Sequence, residues 1–111
     1  MELPGLLPKF ERDMGALATH RLLANCLERD GQAAASLADF LLSLYDARVA
    51  KLDAYILCRC IEAEHFEDVL FVMRWFRFAE NGFDIHHVFG YERGTALMRA
   101  LMQKFRTGYD K

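Results

Sequence analysis

The ten residues from Val69 to Phe78, VLFVMRWFRF, constrain this chain more than any other stretch. Eight are apolar, four of them aromatic, and only Arg74 and Arg77 interrupt the run. The surrounding periodicity predicts a helix, yet one 3.6-residue stripe cannot hold so many large side chains. Phe66, Val69, Leu70, Met73 and Phe76 fall on one face, and Phe71, Val72, Trp75 and Phe78 spill around the other. A helix apolar nearly all round has to be covered on several sides, by its own domain or by a partner. The expected architecture is therefore all-α, a compact bundle of four to five helices around a central aromatic-rich helix. That pattern names no activity.

A chain of 111 residues is expected to form one domain, 1–111, with an irregular N-terminal segment over 1–7. At this length roughly two-thirds of the unfolded surface can be hidden without metal or disulfide staples. The two prolines both lie in the first eight residues, so no later helix is interrupted by one. With 14 basic and 16 acidic residues the net charge is −2, which does not advertise a polyanion partner. Three cysteines, Cys26, Cys58 and Cys60, are an odd number and do not make a disulfide framework. The apolar runs are too short to span a membrane, and no signal-peptide pattern opens the chain. These features predict a reducing, cytoplasmic location.

The helical template fits most of the chain. A first helix is expected over about Pro8 to Arg29, with a stripe of Phe10, Met14, Leu17, Ala24 and Leu27. Asp30-Gly31 breaks it. A second is expected over about Gln32 to Ala47, on Leu37, Phe40, Leu41, Leu44 and Arg48. Asp53 is an N-cap for a short third helix, Ala54 to about Cys60. The fourth is expected from near Ile61 to Ala79, its early acids (Glu62, Glu64, Glu67 and Asp68) matching the positive helix end. No proline or glycine separates the third from the fourth, so one bent helix is an equal reading. Asn81-Gly82 signals a turn, and Phe83 to Phe89 (FDIHHVF) reads as a strand or a packed loop. The last helix is expected over Tyr91 to Arg106, with Gly94, Leu97, Met98, Leu101, Met102 and Phe105 on one stripe.

Candidate chemistry is sparse. Cys58, Cys60 and His65 resemble metal ligands, but zinc sites favour two to four residues between paired cysteines, and here there is one. The alternative is that the cysteines are small buried hydrophobes. His86 and His87 beside Asp84 could bind metal or move protons, although no nucleophile motif lies near. Glu62 stands three before His65, as in di-iron bundles, but only once in the chain, where two such motifs are needed. Arg74 and Arg77 either mark the wet edge of an apolar helix or offer an anion-binding pair. No Walker loop, Gly-x-Gly-x-x-Gly or Gly-x-Ser-x-Gly occurs.

The run Asp30-Gly31-Gln32, then Leu37-Ala38-Asp39-Phe40-Leu41-Leu42 and Asp46-Ala47, resembles a "GQ…VADFLL…NA" signature. That signature belongs to small uncharacterised proteobacterial proteins of plasmids and integrative elements, classed as a domain of unknown function. Leu52-Asp53 before a long helix and Gly90-Tyr91 opening the last one extend the resemblance over about Asp30 to Phe105. The chain departs from the pattern at Val49-Ala50-Lys51-Leu52-Asp53, where the family reads "GGFDL". It departs again at Leu44-Tyr45, where the family has paired tryptophans. The resemblance implies a shared fold and an accessory role on bacterial mobile DNA, and carries no activity with it.

The expected function is protein–protein interaction without catalysis or cofactor, including self-association, most simply as a homo-oligomer of dimer order; an unidentified protein partner is also open. Surplus apolar side chains carry this expectation: Phe71, Trp75, Phe78, Phe83, Ile85, Val88 and Phe89 form the candidate interface. A metal protein or small enzyme using His86, His87 and Asp84, with Cys58 or Cys60, is the first alternative. A nucleic-acid accessory protein using Arg74, Arg77, Arg93, Arg99, Lys104 and Arg106 is the second.

Overall fold

Local capping signals decide where the helices start. Asp13 is extended, and its carboxylate accepts from the N–H groups of Gly15 and Ala16, opening α1 (Met14–Glu28). Gly31, at φ 98°, turns the chain into α2 (Gln32–Tyr45). A side chain is strained at that φ, so glycine fits there. Asp53 caps α3 (Ala54–Arg59) by accepting from Ile56 N–H. The chain is extended again at Glu62 before α4 (Ala63–Arg77), so α3 and α4 are separate helices. Gly90, at φ 89°, leads into α5 (Tyr91–Phe105).

The computed structural model of the protein describes residues 3–78 and 84–105. The Asn81-Gly82 turn, Phe83 and Arg106 lie outside the described residues. Among those described there are five α-helices, two 3-10 segments (Pro8–Phe10 and Ile85–Phe89) and no strand. The FDIHHVF segment is thus neither strand nor irregular loop over its described part: Ile85–Phe89 is a 3-10 turn of helix. Residues 3–7 are irregular but anchored, with Leu7 N–H donating to Val88 O at 2.8 Å and Leu3, Leu6 and Leu7 packed on the core.

The architecture is an all-α bundle, as expected, but its centre is α2. Leu37, Ala38, Phe40, Leu41 and Leu42 are at most 1% exposed. Around them stand α1, α3, α5 and the 3-10 segment Ile85–Phe89. The aromatic-rich helix α4 lies at the side, packed antiparallel on α1: Asp13 meets Trp75, Arg21 meets Asp68, and Asn25 meets His65. Only Asp68, Val69 and Val72 of α4 are buried.

The buried stripe of α1 also differs from the expected one. It consists of Gly15, Ala16, Ala18, Thr19, Leu22, Leu23 and Cys26, while Met14 is 57% exposed. Small residues line the side that α4 approaches. A Cβ on Gly15 would overlap Trp75, so glycine there is a requirement of close packing. The same device recurs at Gly94, where a Cβ would collide with the backbone carbonyl of His86; this lets α5 lie against the 3-10 segment.

Two polar ties hold the helices in register. Arg21 donates to both carboxylate oxygens of Asp68, at 2.8 and 3.1 Å, and fixes α1 against α4. Lys104 on α5 reaches the C-terminal end of α1, donating to the carbonyls of Cys26, Leu27 and Arg29 at 2.7, 3.1 and 2.6 Å. Those carbonyls have no intrahelical partner and carry the negative end of the α1 dipole, so a cation is favoured there.

Candidate functional site

Helix α4 presents one side to α1 and the opposite side to solvent. Successive residues of an α-helix rotate by about 100°. Because α1 covers Asp68, Val69, Val72 and part of Trp75, the outward side carries Ala63, Glu67, Leu70, Phe71, Arg74 and Phe78. Leu70 and Phe71 are each 38% exposed, Met73 is 46% and Phe78 is 70%. Apolar area of this kind concentrated on one helix is unusual for a surface left to water.

Of the candidate interface residues, Phe71 and Phe78 are on this face. Trp75 is half-buried at its edge, and its indole N–H donates to Asp13 at 2.8 Å. Ile85, Val88 and Phe89 have to be reassigned: all three are fully buried in the chain's own core, beneath α5 and beside Leu7. They supply no surface. Leu70 and Met73 belong to the exposed set instead. Their exposure follows from which side of α4 meets α1, the side on which Asp68 pairs with Arg21 and Trp75 sits over Gly15.

Arg74 and Arg77 are exposed on the same helix, three residues apart, with the Arg77 guanidinium 5.6 Å from the centre of the Phe78 ring. Residues 70, 71 and 78, the remaining neighbours of Arg74 one turn away, are apolar, so no acid on α4 offsets it locally. Lys104, counted with these arginines as a nucleic-acid contact, is occupied by the end of α1. Arg93 and Arg99 are exposed on α5.

The histidine cluster has a different character. His86 is 4% exposed and lies edge-on to Tyr45 at 4.9 Å between ring centres, with His87 at 4.3 Å on its other side. Its Nδ1 is buried with no hydrogen-bond partner among the described residues. Burial holds the imidazole below its ordinary pKa, and the neighbouring His87 pushes in the same direction against a smaller opposing pull from Asp84. Asp84, His86 and His87 place one ligand atom each within 4.8 Å of one another. The cap works against metal binding, however. Asp84 N–H donates to His87 Nδ1 at 2.9 Å, so in the neutral ring the proton sits on Nε2. Ligation through Nε2 would move that proton to Nδ1 and cost the bond from Asp84 N–H, leaving the turn on its backbone bond from His87 N–H to Asp84 O.

Glu62, Glu64 and His65 also converge within 4.8 Å at the start of α4, where His65 lies 3.5 Å from Asn25 and both glutamates are exposed. Cys58 and Cys60 are exposed free thiols on and just after α3, not buried hydrophobes, and neither joins a cluster of three ligands among the described residues. Cys26 is the buried one. Burial pushes its thiol up to about 12, which makes it an inert core residue.

No helix among the described residues is long and apolar enough to cross a membrane. No curated protein and no solved structure matches the chain. One family model does match, over residues 16–106, which takes in every helix but the first two residues of α1. The chain belongs to that family, DUF7673, a family of unknown function.

Proposed function

We propose that this chain is a self-associating protein–protein interaction module that docks through the outer side of α4. One observation carries the reading: Leu70 and Phe71 are exposed on the outer side of α4, with Met73 toward its edge and Phe78 at its C-terminal cap, while the other side of the helix is already committed to α1. Apolar patches of this kind on a folded domain mark contact surfaces. The resemblance to proteins of plasmids and integrative elements supports placing the module in the cytoplasm of a bacterium, as an accessory factor of mobile DNA. Metal binding at Asp84, His86 and His87 ranks below this reading because the His87 ring is already used as a cap.

Solution mass by light scattering, from low micromolar to several hundred micromolar, tests the proposal. The expected result is a concentration-dependent dimer that Leu70→Glu or Phe71→Glu converts to monomer, with the helical circular-dichroism spectrum unchanged. A monomer across the whole series would overturn it.

A further inference from the structure

Helix α4 carries a charge pattern that is its own complement when read in reverse. Glu67 and Arg74 are seven residues apart and so lie on one stripe, about two turns along the helix. Both are exposed, and neither has an ion-pair partner among the described residues, in contrast to Arg21 and Lys104, which are paired. Midway between them stand Leu70 and Phe71, one on each side of the stripe. Farther out, Ala63 and Phe78 are equally distant from the same midpoint.

A two-fold axis perpendicular to α4 at this midpoint would bring residue pairs summing to 141 opposite one another. Glu67 then faces Arg74 of a second copy, and Arg74 faces Glu67. Leu70 and Phe71 of one copy then lie against Phe71 and Leu70 of the other around the axis, as an isologous contact demands. Phe78, the most exposed aromatic of the face, falls over the small Ala63 of the second copy. A parallel pairing would instead set Glu67 against Glu67 and Arg74 against Arg74, and like charges there oppose it.

We propose, resting on the self-association reading above, that α4 pairs antiparallel with α4 of a second copy about an axis between Leu70 and Phe71, Glu67 of each chain bonded to Arg74 of the other. One helix side buries less than the roughly 800 Å² per partner of a standard interface, so the dimer dissociates on dilution.

Charge reversal tests the register separately from the association. Glu67→Arg alone and Arg74→Glu alone each replace two attractive pairs by two repulsive ones, and each should weaken homodimerisation about ten- to thirtyfold. Mixed one to one, the two variants regain opposite charges at both positions and should form a heterodimer of wild-type affinity, measured by sedimentation equilibrium. The double variant Glu67→Arg with Arg74→Glu should dimerise like wild type. If wild type dimerises and the single variants are unaffected, or their mixture fails to recover, the antiparallel register is wrong while self-association stands. If wild type is a monomer throughout, both readings fall.

Discussion

Helices α2 and α4 invert what their compositions suggest. Over Ala63–Arg77, α4 holds Phe66, Phe71, Trp75 and Phe76, yet only Asp68, Val69 and Val72 are buried. Over Gln32–Tyr45, α2 holds a single phenylalanine and many alanines and leucines, yet Ala34, Ser36, Leu37, Ala38, Phe40, Leu41 and Leu42 are all buried. The difference lies in the charges and in residue size. Glu67, Arg74 and Arg77 are exposed on the side of α4 away from α1 and need water, which leaves only one side free for burial. The alanines of α2 let neighbours approach closely on several sides, so its few large residues are enclosed. A count of aromatic residues measures potential burial; the surrounding elements decide actual burial.

The largest effect that separates the two helices comes from matched truncations. Phe40→Ala should cost about 3–5 kcal/mol of unfolding free energy, because it opens a cavity at a fully enclosed site. Phe71→Ala should cost less than about 1 kcal/mol, since that side chain is already 38% exposed, while it lowers self-association. Urea unfolding of both variants checks this. Equal losses would break the comparison and put α4 back at the centre of the fold.

Next in size is the contact that holds α4 in place. Gly15→Ala adds a methyl group where Trp75 already sits and should destabilise by about 1–3 kcal/mol, despite the gain of up to about 1 kcal/mol expected for alanine in a helix. In a Trp75→Ala background the sign should reverse, and the alanine should become neutral or stabilising. A cost unchanged by Trp75→Ala would show that the glycine is needed for some other reason.

These pairs also show what could be read in the chain beforehand. Helix ends were legible because Asp53, Gly31 and Gly90 act locally, and α5 was legible because Gly94, Leu97, Met98 and Leu101 repeat on one clean stripe. The contact face of α1 was not. Gly15, Ala16, Ala18 and Thr19 have little hydrophobicity, and their value is the closeness they permit to a tryptophan 60 residues later. In the sequence Asp68 reads as an early acid suited to the helix dipole, although it faces inward toward Arg21. In the sequence Ile85, Val88 and Phe89 read as outer surface because a short segment between a turn and a helix reads as a loop. A 3-10 turn wedged under α5 is a tertiary outcome whose one local mark is the reciprocal cap between Asp84 and His87. At the candidate site, Phe71, Phe78, Arg74 and Arg77 were recognisable from the interrupted apolar run, whereas Leu70 and Glu67 required knowing which side α1 takes.

Smaller again is the Arg21–Asp68 pair. Arg21 is 52% exposed and its carboxylate partner 12%, so the pair lies at the edge of the interface between α1 and α4. Arg21→Ala should cost about 1–2 kcal/mol, chiefly because it leaves a mostly buried carboxylate without its donors. Replacing both, Arg21→Met with Asp68→Leu, should recover most of that loss by packing apolar groups across the same seam. If the double variant is as unstable as the single one, the bidentate geometry does more than compensate for burial, and α4 depends on it for register.

The smallest effect is confined to the enclosed neighbourhood of α2, which makes it a sensitive probe of that side alone. His86 packs against Tyr45 at the end of α2, and its pKa is lowered, first by burial and then by His87. Above the ordinary histidine range both the folded and the unfolded chain hold this ring neutral, so it adds no pH dependence. As pH falls through about 6.5 the unfolded chain takes up a proton that the folded one resists. Stability should therefore decline from there down toward the folded-state pKa, and recover when pH is raised. His86→Phe keeps a ring against Tyr45 and removes the titration. Thermal midpoints measured between pH 7.5 and 5 should fall less steeply for His86→Phe than for wild type. Parallel curves would mean that His86 takes up its proton without penalty in the folded chain, and that the enclosure on the α2 side is looser than its burial implies.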